Sequence, residues 1–358
     1  MEIGVYSFAE MGPDPLTGST ISAGQRIRDL LEEIKLADEV GLDVFGVGEH
    51  HRPDFAVSSP STILAAAAAL SKRIHLTSAA TVLATEEPAR IFEQFSTIDL
   101  ISDRRAEIMV GRGAYVESFR LFRRELNGYE RMFTSNLNSL IAIRKGHIRG
   151  WAEGEQGAEP TSLEVYPRPE REIPIWYASN GSPQSAVQAG KLGLPVALKV
   201  NSGQSQNYLS FVERYRQAGL SLGKGGFNPQ IGINCHGFVG HDEAKATEDF
   251  FPYYASAMNK NRRGRELEEF TLSEFDYDAR PENSLVFGTP SQVIDKILYQ
   301  HALFGHHRFL MQMSAGNVPH NSIMKSIELL GTVVAPAVRA ALSGRSEFAA
   351  ESRLAPAV

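Results

Sequence analysis

The sequence has little cysteine and no strong excess of either charge, and each of these features excludes a class of protein. Cys235 is the only cysteine among 358 residues, so the chain has neither an intramolecular disulfide nor a cysteine metal cluster. The net charge of −6 gives no reason to expect nucleic acid or an anionic membrane as a partner. A hydrophobic fraction of 42% with 22% charged residues is typical of a globular protein with a sizeable core.

Targeting signals and two common nucleotide-binding motifs are also missing. We expect no membrane-spanning helix, because no apolar run approaches the length that a bilayer requires. The first residues lack the basic region and apolar core of a signal peptide, so we expect a cytoplasmic protein. No GxGxxG opens a helix after the first strand and no GxxxxGK[ST] occurs, which weakens the Rossmann and P-loop alternatives.

Strand-like and helix-like segments alternate along most of the chain. Eight repeats with helical crossovers favour a closed (β/α)8 barrel, a TIM barrel, over an open doubly wound sheet. We predict one α/β domain over residues 1–342, with insertions at about 150–172 and 259–287 and a flexible tail over 343–358. The second insertion is either ordered or a mobile lid. The eight predicted strands are 2–8, 44–47, 74–83, 106–110, 174–178, 194–200, 231–239 and 308–313.

An acid and two histidines, Glu49-His50-His51, follow the second predicted strand. Polar groups at the carboxyl end of a buried parallel strand lie where α/β folds place their chemistry. Successive side chains of an extended chain point to opposite sides, so the two histidines should diverge, and one of them can enter a pocket. Histidine suits acid–base work near neutral pH. Two polar residues that only close a strand remain the alternative.

The segment after the fifth predicted strand, Ser179 to Pro183, has the composition of an anion site. It passes through glycine and serine and enters a helix with proline in its first turn. Free backbone N–H groups and the helix dipole attract an anion there, and Arg112, after the fourth strand, can add a positive charge. The alternative is that Ser182 only caps the helix and Arg112 pairs with a carboxylate.

The chain resembles the bacterial luciferase-like flavin monooxygenases from Met1 to about Leu342. The order and spacing of several motifs carry this resemblance. They are Val47-Gly48-Glu49-His50-His51, Leu76-Thr77-Ser78-Ala79-Ala80-Thr81-Val82-Leu83 with Pro88-Ala89-Arg90, Arg104-Arg105-Ala106-Glu107-Ile108-Met109-Val110-Gly111-Arg112-Gly113, Pro174-Ile175-Trp176-Tyr177-Ala178-Ser179-Asn180-Gly181-Ser182 and Phe287-Gly288-Thr289-Pro290.

The resemblance implies an eight-stranded barrel, reduced FMN as cosubstrate supplied by a separate flavin reductase, and a homodimer built on helices near the second and third strands. His50 matches the active-site histidine that assists formation or decay of a flavin hydroperoxide. Gly111 replaces the reactive cysteine of the light-emitting subunit, which argues against light emission. The cofactor-binding residues that we expect are Ala79 and Ala80 behind the isoalloxazine, Gly111 and Tyr115 near it, and Arg112, Asn180, Gly181 and Ser182 around the phosphate.

Three functions stay open at this point. The first is a two-component FMN monooxygenase that oxygenates a small organic substrate. The second is a deazaflavin (F420)-dependent oxidoreductase, and the third is a non-catalytic flavin-binding protein. A metal-dependent barrel hydrolase is a distant alternative, because its histidines would have to come from His236 and the pair His306-His307, and we predict no metal site.

Overall fold

A computed structural model describes residues 1–113, 115–146, 164–223, 228–263 and 267–354 of the chain. The strands are β1 (Glu2–Ser7), β2 (Val44–Val47), β3 (His75–Ser78), β4 (Thr81–Val82), β5 (Ala106–Gly111), β6 (Ile175–Ser179), β7 (Val196–Lys199), β8 (Ile231–Val239), β9 (Val286–Gly288) and β10 (Arg308–Gln312). The helices are α1 (Ala23–Glu39), α2 (Pro60–Leu70), α3 (Pro88–Ser102), α4 (Glu117–Leu121), α5 (Tyr129–Arg144), α6 (Pro183–Leu192), α7 (Leu209–Gly219), α8 (Glu243–Arg263), α9 (Leu272–Ala279), α10 (Pro290–Phe304), α11 (His320–Leu329) and α12 (Ala335–Leu354).

Eight parallel strands close into a barrel, which confirms the predicted (β/α)8 fold. They pair in the order β1, β2, β3, β5, β6, β7, β8 and β10, and β10 pairs with β1 to close the ring. The two short strands extend this ring at one end, since β4 pairs with β5 and β9 with β8. Because all strands run the same way, the segments after them meet at one rim. That carboxyl-terminal rim is the mouth of the barrel.

Side chains inside the barrel form a small buried cluster separate from the larger core between strands and helices. Tyr6, Met109, Trp176, Ala197 and Leu310 belong to it. Alternate residues of a strand share a face, so the residues two positions before and after each of these on the same strand also point into the barrel. Residues two positions later on each strand reach the mouth, and residues two positions earlier reach the opposite end.

A buried ion pair fills the amino-terminal end of the barrel. The Arg308 guanidinium donates to the Glu107 carboxylate, with Nη2 at 2.9 Å from Oε1, and it stacks on the Trp176 ring at 4.1 Å from its centroid. Both side chains are almost fully buried. The paired arginine lowers the pKa of Glu107 to about 2, against the effect of burial, which would raise it. This end is therefore a packed, closed floor.

One helical stretch, His320–Gly344, is long and apolar enough to cross a membrane by length and composition alone. The expectation that no segment meets this criterion was wrong, because small apolar residues raise the mean hydropathy of the C-terminal helices. A core helix of a soluble protein passes the same test. Ile327, Leu330, Val334 and Val338 on this stretch are buried against the barrel.

Local structure differs from the predictions at several boundaries. The third predicted strand is interrupted by a cis peptide between Ala79 and Ala80, which divides it into β3 and β4. The 259–287 segment contains the end of α8, the helix α9 and the start of β9, so about half of it is regular structure. Most of the predicted insertion at 150–172 lies outside the described residues. The last helix continues to Leu354, beyond its predicted end at 342.

Candidate active site

His50 lies at the mouth of the barrel inside a cage of aromatic rings. Its imidazole stacks on Phe8 with ring centroids 4.5 Å apart, and it meets Phe55 and Tyr115 edge to face at 4.4 and 4.8 Å. Burial, and after it the positive charge of Lys199, lower the pKa of His50 to about 3. The imidazole is therefore neutral at neutral pH and presents one N–H donor and one acceptor nitrogen.

Backbone pairing fixes the loop that carries this cage. Glu10 forms an antiparallel bridge with Phe55, and the Ala56 amide donates to the Ala9 carbonyl at 2.9 Å. The His50 amide donates to the Val57 carbonyl at 3.1 Å. The chain after β1 therefore holds the chain after β2 in place, so Phe55 and His50 keep their positions on the rim.

His51 points away from His50, as the alternation of an extended chain predicts. Its Nε2 lies 2.9 Å from Oε1 of Glu49, and the other oxygen of Glu49 accepts from the Val82 amide at 3.0 Å. Both side chains are nearly fully buried. Glu49 and His51 thus brace the end of β2 against the segment that follows the cis peptide, and His50 alone faces the mouth.

The side chains of the mouth are small along β3, β5 and β6. Ala79 and Ala80 follow β3, and Gly111 ends β5. A Cβ atom on Gly111 would lie 3.3 Å from the Cβ of Ala80 and 3.8 Å from the Cβ of Ala178, so this glycine keeps the wall flat. Gly46 on β2 is more tightly constrained, because its Cβ would lie 2.8 Å from that of Ala79. A flat aromatic ring system can lie against such a wall.

A cationic and hydroxyl-rich group lies beside this wall at the start of α6. The Arg112 guanidinium reaches Ser185 Oγ at 3.0 Å and Ser182 Oγ at 3.5 Å. Ser182 caps α6, with its hydroxyl accepting from the Ser185 amide, and Pro183 follows it. Gly181 takes a φ of +93°, which turns the chain into the helix. Arg112 also pairs with the exposed Glu130 at 3.2 Å, which is the carboxylate partner that the alternative interpretation expects.

The structure therefore brings the predicted residues together on one rim. His50 and Tyr115 touch, and Ala79, Ala80 and Gly111 form the wall. Gly181 and Ser182 lie with Arg112 at the helix start, and Asn180 is exposed just before them. Ser185, which the sequence analysis missed, is the nearest hydrogen-bond partner of Arg112, and its place in the first turn after the cap is the signal that identifies it.

A polar group on the far side of the mouth was also missed. Lys199 ends β7 beside Asn234 of β8, and His236 of β8 lies beside Gln312 of β10. Glu10, just after β1, accepts a hydrogen bond from Gln312 at 2.5 Å. The residues on β7, β8 and β10 alternate with core residues along their strands, and this alternation is the sequence signal for their position.

The described surroundings of His236 do not form a metal site. Among the described residues, no group of three or more histidine, cysteine or acidic side chains could hold a metal ion. His236 points into the mouth, where its Nδ1 lies 3.5 Å from the Tyr254 hydroxyl. His306 precedes β10 at the opposite end of the barrel, beside His301. The histidines that the distant hydrolase alternative requires therefore do not converge.

Residues 1–307 match the family of luciferase-like monooxygenases, and the chain belongs to this family. An alkanal monooxygenase alpha chain from Photorhabdus luminescens is 26% identical over 226 residues, which cover 60% of this chain and 59% of that protein. An F420-dependent glucose-6-phosphate dehydrogenase from Amycolatopsis mediterranei is 30% identical over 176 residues, which cover 46% of this chain and 51% of the relative.

Solved structures share the whole fold. The monooxygenase RslO1 from Streptomyces bottropensis superposes with a TM-score of 0.76 at 23% identity, covering 94% of this chain and 99% of that one. The oxygenating constituent of 3,6-diketocamphane monooxygenase from Pseudomonas putida, a type II Baeyer-Villiger monooxygenase in complex with FMN, gives 0.71 at 20% identity, with 94% and 98% covered. At these identities the likeness shows the barrel, and the cofactor has to be argued from the residues.

Proposed function

We propose that the protein is a monooxygenase that uses reduced FMN and O2 to oxygenate a small organic substrate, with a separate flavin reductase as its partner. One observation carries this proposal. The rim holds a phosphate-type site at Arg112, Ser182 and Ser185, a flat wall of small residues, and a caged neutral histidine, in that spatial order. A phosphorylated flavin has a phosphate and a flat ring, and the family relationship supports this choice of ligand.

The described residues fit FMN. Arg112 and the hydroxyls of Ser182 and Ser185 would hold the phosphate together with the amides at the start of α6, because this arrangement offers charge and donors at one point. Ala79, Ala80 and Gly111 leave room for the ring. When bound, reduced FMN supplies the electrons that activate O2.

The chain's own residues supply the proton chemistry and exclude water. His50 is neutral, so one ring nitrogen can accept a proton and the other can donate a hydrogen bond. Phe8, Phe55 and Tyr115 surround it and keep water from the imidazole. In this proposal His50 is the acid–base group of an aromatic, largely apolar half of the mouth, beside the wall that would face the flavin.

Titration under anaerobic conditions tests the cofactor assignment. We expect reduced FMN to bind more tightly than oxidised FMN and than F420, as followed by flavin fluorescence and by quenching of protein fluorescence. Mixing the complex with oxygen in the presence of candidate substrates should then yield an oxygenated product. Tight binding of F420 together with no binding of reduced FMN would refute the proposal.

An F420-dependent oxidoreductase is the second candidate. The relative from Amycolatopsis mediterranei favours it, because its name states F420 dependence and its matched segment is 30% identical. The two candidates differ in the need for oxygen. An F420 enzyme would transfer hydride to or from its substrate under anaerobic conditions, whereas the proposed monooxygenase forms no product without O2.

A homodimer through α2 and α3 is part of the proposal. These two helices pack against each other and follow β2 and the β3–β4 segment. Leu70, Leu100 and Ile101, near their C-terminal ends, are each about half exposed. Exposed large apolar side chains on neighbouring helices are typical of a surface that another protein covers.

A further inference from the structure

The side of the mouth formed by β7, β8, β10 and β1 is polar, and the proposed chemistry of His50 and FMN does not use it. Ala197 and Leu310 point into the barrel, so Lys199 and Gln312, two positions later on the same strands, point into its mouth. Asn234 lies in register with both Leu310 and Lys199, and His236 with Gln312. Three strands thus direct polar side chains to one place, and Glu10, which follows β1, joins them through Gln312.

Lys199 carries the free charge of this group. Within the described part of the chain, no hydrogen bond or ion pair of the structure joins its ammonium to another residue, and Glu10 attracts it only from beyond ion-pair distance. Burial and, after it, the positive charge of Lys199 lower the pKa values of His50 and His236, so the ammonium lies within electrostatic range of both rings. Burial lowers the pKa of Lys199 itself, which shows the cost of an ammonium without a close counter-ion.

Hydrogen-bond acceptors around this charge lack partners among the described residues. They are Oε2 of Glu10, Oδ1 of Asn234 and Oε1 of Gln312, and the Tyr6 hydroxyl is also unpaired. Each of these four side chains is more than nine-tenths buried. Buried polar atoms are almost always paired in folded proteins, so a group of four at the mouth of a barrel indicates a site for a polar ligand.

We propose that this polar side binds the head group of the substrate, and that the substrate is a hydroxylated organic acid. Lys199 supplies the counter-charge for the acid, and the unpaired acceptors take hydrogen bonds from the hydroxyl groups. This proposal rests on the proposed function, since it places the substrate opposite the flavin wall and next to His50. A plain fatty aldehyde is a poor ligand here, because it would leave the ammonium without a counter-charge and the acceptors without donors.

The flavin phosphate does not compete for Lys199. Arg112 follows the inward-facing Gly111 and therefore points outward, to Ser185 of α6 and Glu130 of α5. Lys199 points inward from β7. Arg112 thus lies at the outer edge of the rim, whereas Lys199 lies within the barrel mouth.

Binding of a panel of small acids tests this assignment without knowledge of the natural substrate. Salicylate, mandelate and lactate would each be titrated by calorimetry into the full-length protein, next to their neutral amides and decanal. We expect at least one acid to bind at least tenfold more tightly than its amide. Lys199→Met should weaken that acid roughly ten- to a hundredfold, the scale of a lost charge-assisted hydrogen bond, and leave the amide unchanged. Lys191→Met removes an exposed lysine of α6 and serves as the matched control.

Several results would overturn the proposal. These are no binding of any acid by the wild-type protein, equal binding of acid and amide, or equal weakening by Lys199→Met and Lys191→Met. The comparison of acid with amide uses only the wild-type protein, so it still tests the proposal if Lys199→Met folds poorly. FMN is titrated separately. Binding of an acid through Lys199 without binding of reduced FMN would refute the proposed function and leave this inference standing.

Discussion

Replacement of Arg112 by methionine should separate FMN from riboflavin. The two ligands share the ring system, and only FMN has the phosphate that we assign to Arg112, Ser182 and Ser185. Methionine keeps the aliphatic bulk of arginine and removes its charge and donors. We therefore expect Arg112→Met to weaken FMN and to leave riboflavin nearly unchanged.

The expected size follows from the surroundings of Arg112. The Arg112 side chain is 24% exposed and its guanidinium donates to Ser185 at 3.0 Å, while the side chain of its ion-pair partner Glu130 is 67% exposed. A charge-assisted hydrogen bond contributes about 1.5–3 kcal/mol, and solvent reduces this at a partly exposed site. A loss near the lower limit is reasonable, which corresponds to roughly a tenfold to thirtyfold weaker affinity for FMN.

Fluorescence titration of both ligands measures this difference directly. Arg131→Met is the matched control, because Arg131 is an exposed arginine on α5, next to Glu130. Glu130→Gln should change FMN affinity less than about fivefold, as an exposed ion pair contributes at most about 1 kcal/mol. Equal weakening of FMN and riboflavin by Arg112→Met would show a structural role for Arg112 and refute the phosphate assignment.

Three further predictions concern the histidine, the floor of the barrel and the proposed dimer. His50→Ala should keep FMN binding, lower the rate of product formation by about 10²–10⁴-fold and release hydrogen peroxide instead. The pH profile of the wild-type protein should show no inflection near 6.5 from His50, because its pKa is about 3. An unchanged ratio of product to hydrogen peroxide in the variant, or an inflection near 6.5 that the variant loses, would contradict this prediction. The Glu107 carboxylate has a pKa of about 2 in the folded protein, below its ordinary 4.5, so it stabilises the fold above about pH 4.5 and loses this effect, about 3 kcal/mol, as the pH falls toward 2. Glu107→Gln should lower the free energy of unfolding by about 3–5 kcal/mol at neutral pH, as measured by urea denaturation, because Arg308 stays buried without its partner. Leu100→Arg with Ile101→Arg should convert a dimer to a monomer in sedimentation experiments, and a wild-type protein that sediments as a monomer would exclude the dimer.

The sequence by itself determined the barrel and which candidate residues share its carboxyl-terminal rim. Alternating apolar strands and amphipathic helices require the repeated parallel crossover, and this puts His50, Arg112 and Ser182 on one rim without any knowledge of contacts. Ser182 before Pro183 also specified a capped helix start, because capping depends on residues only three positions apart.

Tertiary structure decided the other half of the mouth. Gln312 donates a hydrogen bond to Glu10 across 302 positions of the chain, and the charge of Lys199 on β7 lowers the pKa values of His50 and His236. Such contacts depend on the register of parallel strands and on the closure of the ring, which local patterns do not encode. The charge of Lys199 is visible in the sequence, but its place in the barrel mouth, with no ion-pair partner among the described residues, exists only once eight strands have closed around it.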